Sequence, residues 1–220
     1  MVWEITGWRL TDKQSEYNFA ERFGNHMIIG ITGGIGAGKT TILNILSEKY
    51  GFCVFEADKI GHELMKKDMP AYKKIVKEFG EDILDEKGEI DRQKMSCIVF
   101  SDREKLKNLN GIVHPEVIKE LKRRIEFEQK GGEDNFVIEA ALLIESGCNA
   151  ICDKVWYIYA EDSVRIERLN KGRGMSQEQV LSVIKNQLKD EEFINKADDM
   201  INNSFSIENT HSQIEKLLEF

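Results

Sequence analysis

The stretch GITGGIGAGKTT, residues 30–41, predicts the fold of this chain. It matches the pattern GxxxxGK[ST], with Gly33, Gly38, Lys39 and Thr40 at the fixed positions. Glycines in such a loop let successive backbone N–H groups point inward, and the start of the following helix adds positive potential. Lys39 would reach the β and γ phosphates of a nucleotide, and the Thr40 hydroxyl would ligate Mg²⁺. The motif therefore predicts a loop that holds a nucleoside triphosphate.

Short apolar runs alternate with helical patterns on both sides of this loop, as a nucleotide-binding α/β domain requires. The runs that predict strands are residues 28–32, 52–55, 136–138 and 155–159, with a weaker run at 200–201. Strands separated by helices indicate a parallel sheet that is covered on both faces. The predicted fold class is α/β, a doubly wound five-stranded parallel sheet of the P-loop NTPase type.

We expect the chain to consist of one domain built on this sheet, a helical insertion within it and an N-terminal extension. The interval 59–131 contains almost only helical patterns and predicts a helical insertion within a domain that spans residues 27–220. Residues 1–26 show no clear period. We expect them to form an N-terminal extension without chemistry, with Met27 as a candidate initiator.

Composition excludes several classes of function. The net charge of −8 argues against general nucleic-acid binding, for which a basic face is expected. No apolar run approaches the ~20 residues of a membrane helix, and no export signal is recognisable. The four cysteines form no CxxC pair, which indicates reduced thiols. These features predict a cytoplasmic protein without a membrane or nucleic-acid partner.

A second candidate site follows the second predicted strand, in FCVFEADKIGHEL. Glu56 and Asp58 fall at the carboxyl end of that strand, where parallel α/β sheets bind ligands. Asp58 could accept the proton of an attacking hydroxyl, and it could equally cap the next helix. His62 lies one helical turn beyond Asp58, on the same face. We assign Asp58 as the catalytic base; His62 could contact the acceptor or have a structural role, as a lone histidine often does.

Further charged residues follow the next two strands. Glu139 ends the third strand, where an acid can hold Mg²⁺ through water or can simply terminate the strand. After the fourth strand, SVRIERLNKGRG gathers Arg165, Arg168, Lys171 and Arg173. Such a cluster in an acidic chain, followed by glycines, predicts a lid over residues 165–178 that supplies arginines to the transferred phosphoryl group.

The ordered set of motifs resembles the dephospho-CoA kinase family over residues 27–204. The motifs are IGITGGIGAGKTT, EADKIGHEL, FGEDILDEKGEIDRQKMSCIVF, KLKNLNGIVHPEV, EAALLIESG and ADDMINNS. The resemblance implies the last step of coenzyme A synthesis, in which ATP phosphorylates the ribose 3′-hydroxyl of dephospho-CoA. It also implies a nucleotide-binding core, a helical acceptor-binding domain and a lid, with ATP and Mg²⁺ as cofactors.

The resemblance also implies roles for individual residues. Asp58, Lys39 and Arg168 are expected to be catalytic, and Asp58, His62, His114 and Glu139 to contact the acceptor. His114 and Pro115 are expected to open a helix in the insertion. The positions expected to bind ATP are Gly34, Ile35, Gly36, Ala37, Gly38, Lys39, Thr40, Thr41 and Arg173.

Two departures from the family pattern concern the same sites. Glu56 stands where the family often has Asp, and the lid arginine is displaced by one position in Lys171-Gly172-Arg173-Gly174. The base of the lid that meets the phosphates is therefore left open among Arg168, Lys171 and Arg173.

Other functions of the same loop remain as alternatives. A kinase of the same fold could act on a nucleoside or a nucleoside monophosphate, and a regulatory protein could bind ATP without using an acceptor. A GTPase is disfavoured, because the matches to DxxG (residues 58–61) and NKxD (residues 195–198) lack the buried strand and the switch segment of that class.

Overall fold

A computed structural model describes residues 26–219 of the chain, and its centre is one parallel sheet. The strands of this sheet are β1 (Met27–Thr32), β2 (Cys53–Glu56), β3 (Asn135–Glu139), β4 (Lys154–Tyr159) and β5 (Asp199–Asn202). Their order is β2-β3-β1-β4-β5, and every neighbouring pair is parallel. The predicted doubly wound α/β class is confirmed, and each predicted strand is present with its ends shifted by at most a few residues.

Helices connect these strands and cover the sheet. In chain order the α-helices of the described residues are α1 (Lys39–Tyr50), α2 (Ala57–Leu64), α3 (Pro70–Phe79), α4 (Arg92–Ser101), α5 (Arg103–Lys130), α6 (Asp162–Arg173), α7 (Gln177–Lys185), α8 (Asp190–Ile194) and α9 (Ile207–Leu218). Short 3₁₀ turns lie at Glu81–Ile83 and Cys148–Ile151. None of these helices is long and apolar enough to cross a membrane.

One face of the sheet packs against α1 and α9. Ile29 and Ile31 of the central strand β1 are fully buried there, together with Trp156. Alternate residues of a strand point to opposite faces, so Gly30 faces the other side. A Cβ atom at Gly30 would lie 2.8 Å from both Cys152 Sγ and a methyl carbon of Leu143, which shows how closely the β3–β4 connection packs on that side.

The opposite face holds the larger apolar core, formed with α2, α3, α4 and α5. Phe136 and Ile138 of β3 are fully buried in this core, and Leu121 of α5 is buried with them. The helical segment between β2 and β3 therefore packs against the sheet through α2 and α5, and this brings α5 beside the carboxyl end of β2.

Helix α5 is 28 residues long and contains Pro115 in its interior. The expectation that His114 and Pro115 open a helix is therefore wrong. Proline lacks an N–H and crowds the carbonyl four residues earlier, which here belongs to the exposed Gly111. Water can bond that carbonyl, and packing of Val117, Leu121 and Ile125 stabilises the helix across the proline.

Local end signals agree better with the structure. Gly51 ends α1 in the left-handed conformation with φ 70°, and Ser176 and Gln179 form a capping box at the start of α7. The proposed extension, residues 1–26, lies outside the described residues except for His26.

We expect Leu121→Ala to destabilise the domain by about 2–5 kcal/mol, because it opens a cavity where α5 meets the sheet. Urea unfolding followed by circular dichroism measures this change. Leu106→Ala is the matched control, since Leu106 lies in the same helix and is 38% exposed. The control should change stability by less than about 1 kcal/mol. Equal effects of both substitutions would mean that α5 does not pack on the core as described.

Candidate active site

The predicted phosphate loop connects β1 directly to α1. Gly38 lies immediately before α1 with φ 90°, and Gly36 has φ 76°; both values are in the left-handed region that favours glycine. The loop therefore leads directly into the first turn of α1, whose N–H groups have no partner within the helix. Unpaired N–H groups at the start of a helix bind phosphate.

Two further observations explain why side chains are excluded from the loop. A Cβ atom at Gly33 would lie 2.4 Å from the carbonyl oxygen of Ile158, and one at Gly38 would lie 2.2 Å from Asn203 Nδ2. Neither distance is tolerated between non-bonded atoms. The glycines of the motif thus allow the loop to lie directly on the ends of β4 and β5.

Side chains from the β4–β5 half of the domain bind the first part of the loop from behind. Arg165 of α6 is 5% exposed, and its Nε donates to the Ile35 carbonyl at 2.9 Å. Gln187, between α7 and α8, accepts both from the Ile35 N–H at 3.0 Å and from an Arg165 amino group at 3.1 Å. The buried guanidinium therefore fixes the orientation of the peptide group after Ile35.

The second part of the loop is held by Asn203 and Arg168. Asn203 Nδ2 donates to the Ala37 carbonyl at 2.8 Å, and an Arg168 amino group donates to the same oxygen at 3.3 Å. Arg168 also donates to the Asn203 carbonyl at 2.8 Å, and the Thr210 hydroxyl donates to Asn203 Oδ1 at 2.9 Å. Asn203 is 3% exposed and Thr210 is fully buried, so the Asn203 side chain makes its bonds out of contact with water.

These contacts determine where the loop directs its N–H groups. In a trans peptide the carbonyl and the N–H of the next residue point in opposite directions. Because the carbonyls of Ile35 and Ala37 are bonded from behind, the N–H groups of Gly36 and Gly38 point away from those donors. The loop is therefore preorganised for an anion.

Of the basic residues predicted to form a lid, two contact the phosphate loop and two lie at the surface. Arg165 and Arg168 contact the loop, as described above. Lys171 pairs instead with Glu167 at 2.6 Å on the surface, and Arg173 is an exposed residue at the end of α6. Among the described residues no hydrogen bond or ion pair joins Lys171 or Arg173 to the loop, so Arg168 alone of the three open candidates contacts it, from behind.

Lys39, the first residue of α1, points across the loop towards β3. Its Nζ donates to the Gly33 carbonyl at 2.9 Å and lies 3.6 Å from Glu139 Oε1. Burial raises the pKa of Glu139 above its usual value, the Lys39 charge opposes this rise, and nearby Asp58 and Glu56 add to it. Glu139 therefore lies at the loop, within reach of the Lys39 ammonium group.

Glu56 and Glu139 occupy partner positions at the carboxyl ends of β2 and β3. Glu56 pairs with Lys59 at 2.6 Å, near the surface. Asp58 is the second residue of α2, and the residue before that helix is Glu56, so the alternative that Asp58 is the N-cap is wrong. Among the described residues no hydrogen bond or ion pair engages the Asp58 carboxylate, which leaves it open to a ligand.

A cleft of about 240 Å³ opens beside Asp58. His62 from α2 and His114 from α5 line the same cleft, so three residues predicted from different motifs lie together. Burial lowers the pKa of His114 below its usual value, while Glu145 opposes this. His114 therefore favours the neutral form, in which it can accept a hydrogen bond as well as donate one.

The candidate metal ligand, Thr40, is the second residue of α1 and is exposed at the loop. Among residues 26–219 there is no cluster of three or more histidine, cysteine or acidic side chains that could hold a metal ion. A single hydroxyl donor such as that of Thr40 suits Mg²⁺, which is commonly held by one or two protein oxygens together with phosphate oxygens and water.

Sequence patterns did not identify two residues of this site. Asn203 lies in the motif ADDMINNS, but its function as the inner support of the loop depends on β5 lying beside β4. Gln187 lies in a polar segment without any periodic signal. Both residues become recognisable only through their distances to Ile35 and Ala37.

We expect Asn203→Ala to raise the KM for ATP roughly 10-fold, because the Ala37 carbonyl loses a buried donor at a cost of about 1–3 kcal/mol. Steady-state kinetics with ATP as the varied substrate measures this change. Thr210→Val is the matched control, since it removes the bond to Asn203 Oδ1 and keeps the donor to Ala37. A wild-type KM in Asn203→Ala would contradict the supporting function of Asn203.

Comparison with known proteins finds one family that matches most of this chain. The family model for dephospho-CoA kinase matches residues 27–209. A dephospho-CoA kinase of Carboxydothermus hydrogenoformans is 41% identical over 192 residues, which are 87% of this chain and 93% of that protein. The corresponding protein of Aquifex aeolicus is 43% identical over 192 residues, with 87% and 95% covered.

Solved structures of known kinases are similar to this one. The dephospho-CoA kinase of Campylobacter jejuni superposes with a TM-score of 0.61 at 28% identity, covering 87% of this chain and 95% of that one. A shikimate kinase of Bacteroides thetaiotaomicron has a TM-score of 0.53 at 17% identity over 88% and 99% of the two chains, and shares the fold alone. With the family model matched from the first strand to α9, the chain belongs to the dephospho-CoA kinase family.

Proposed function

We propose that this protein transfers the γ-phosphoryl group of ATP to the ribose 3′-hydroxyl of dephospho-CoA, which completes coenzyme A. The single observation that supports this most directly is that the Asp58 cleft opens at the same sheet edge as a preorganised phosphate loop. Family membership supports the identity of the acceptor.

In the proposed reaction the 3′-oxygen attacks the γ phosphorus while the bond to the β–γ bridging oxygen breaks and ADP leaves. Asp58 orients the 3′-hydroxyl and accepts its proton. Lys39 offsets the charge of the γ phosphate and of the leaving ADP, while Arg168 adds positive charge from behind the loop through its bond to the Ala37 carbonyl. Phosphoryl transfer asks the protein mainly for positioning and electrostatic stabilisation, and these residues supply both.

The cofactors of the reaction are ATP and, we infer, Mg²⁺. The exposed hydroxyl of Thr40 would hold the metal together with phosphate oxygens. Glu139 would contact the metal only through a water molecule, because its carboxylate is already beside the Lys39 ammonium group. The metal would neutralise charge on the β and γ phosphates.

The division of the chain follows from these assignments. The helical segment 59–131 contributes His62 and His114 to the cleft, and we assign it to the acceptor. Within the predicted lid, residues 165–178, Arg165 and Arg168 hold the phosphate loop. We therefore assign the moving part of the lid to the end of this segment, which would bring the exposed Arg173 towards ATP on closure.

An acceptor panel tests the proposed function. ADP release from Mg-ATP is measured with no acceptor and with dephospho-CoA, adenosine, AMP or GMP. We expect dephospho-CoA to give the largest stimulation. Stimulation by a mononucleotide alone would make the chain a nucleotide kinase of the same fold, and ATP binding without any stimulation would indicate a regulatory binder.

We expect Asp58→Asn to lower kcat by roughly 10²-fold or more, because asparagine cannot accept the proton of the 3′-hydroxyl. The KM for ATP should stay near the wild-type value, since Asp58 does not contact the loop in the described structure. Asp68→Asn, an exposed change in which asparagine tolerates the positive φ of 68°, is the control and should retain full activity. Full turnover in Asp58→Asn would exclude Asp58 as the base.

A further inference from the structure

The cleft beside Asp58 continues past His114 into a second, more open groove of about 430 Å³. His114 and Ser146 line both cavities, so the two form one continuous surface. The remaining lining residues of the groove all lie on one face of α5 and are Pro115, Ile118, Lys119 and Lys122.

Lys119 and Lys122 are both exposed, and neither ammonium group has a carboxylate within 4.0 Å among the described residues. Other basic residues nearby are neutralised. The Nζ atom of Lys74 in α3, for example, lies 2.7 Å from a carboxylate oxygen of Glu116 in α5. The groove therefore has two uncompensated positive charges on one face, in a chain whose net charge is −8.

Charge of this kind at one end of a cleft favours an anionic ligand. Glu145 influences His114 electrostatically, so a negative charge lies near the His114 end of the groove, whereas the lysines follow further along α5. Ile118 and Pro115 give the wall between these ends an apolar character. The groove is thus suited to a ligand with an anionic group at one end of an extended chain.

The position of the lysines relative to the reacting hydroxyl suits the proposed acceptor. Lys119 and Lys122 follow His114 by five and eight residues, which at ~1.5 Å per residue is about 8 and 12 Å along the helix. A dephospho-CoA whose 3′-hydroxyl lies at Asp58 extends from the 5′ side of the same ribose through a diphosphate. Lysine side chains on flexible stems can reach a phosphate from these positions.

We propose that Lys119 and Lys122 bind the diphosphate of the acceptor and so determine which nucleoside derivatives are phosphorylated. This inference rests on the proposed function and adds to it a subsite and its chemistry. The neutral arm beyond the diphosphate would follow the apolar part of α5. Acceptors without a 5′-diphosphate, such as adenosine, would lose these two contacts and be discriminated against.

The test compares Lys119→Ala, Lys122→Ala and the double variant with the wild type. We expect each single substitution to raise the KM for dephospho-CoA roughly 5–10-fold, with the double variant higher still. The KM for ATP and kcat at saturating acceptor should be unchanged. Activity towards adenosine should not fall, so the preference for dephospho-CoA over adenosine should shrink by the same factor.

Ionic strength provides an independent measurement. Salt screens contacts between exposed charges, so the KM for dephospho-CoA should rise with added KCl in the wild type and rise less in the double variant. Lys216→Ala is the control, because Lys216 is an exposed lysine on α9, which packs on the opposite face of the sheet. This control should match the wild type in every assay.

Unchanged acceptor KM in the double variant, beside normal turnover of dephospho-CoA by the wild type, would overturn the subsite and leave the proposed function intact. An equal rise of KM for adenosine and dephospho-CoA would also overturn it, because the lysines would then not act through the diphosphate. Failure of the wild type to use dephospho-CoA would instead refute the proposed function itself.

Discussion

The site depends on the hydrogen bonds that hold the phosphate loop from behind. A glycine-rich loop is free to adopt many conformations, and its anion-binding form requires that its carbonyls turn away from the ligand. Arg165 and Asn203 bind the carbonyls of Ile35 and Ala37, and both donors are nearly inaccessible to water. The loop therefore loses its conformational entropy during folding, and this loss does not reduce the free energy of ATP binding.

This constraint explains why β4 and β5 matter for a loop that connects β1 to α1. Arg165 and Arg168 follow β4, and Asn203 follows β5. Their side chains reach the loop only because the sheet places these strands next to β1 in the order β1-β4-β5. Packing in the core therefore controls the geometry of the phosphate site, since a shift of β5 would remove the donor to Ala37.

On the other side of β1, burial and charge act together. Burial raises the pKa of Glu139, and the ammonium group of Lys39, 3.6 Å away, opposes this rise by favouring the ionised carboxylate. Asp58, two residues beyond the edge strand β2, has no such partner among the described residues and lines the cleft between α2 and α5. The two carboxylates thus have different environments and, in the proposed reaction, different functions, with Glu139 beside the phosphates and Asp58 beside the hydroxyl.

Local sequence determined the elements of this protein: the alternating apolar runs predicted the strands, and the glycines of the motif predicted the phosphate loop. It failed at Pro115, since a proline is a helix-start signal only when nothing else stabilises the preceding turn. Tertiary structure alone decided that His114 lies across the cleft from Asp58 and His62, and that Arg165 is a buried support of the loop. Those facts depend on contacts between residues far apart in the chain, and short-range patterns do not encode such distances.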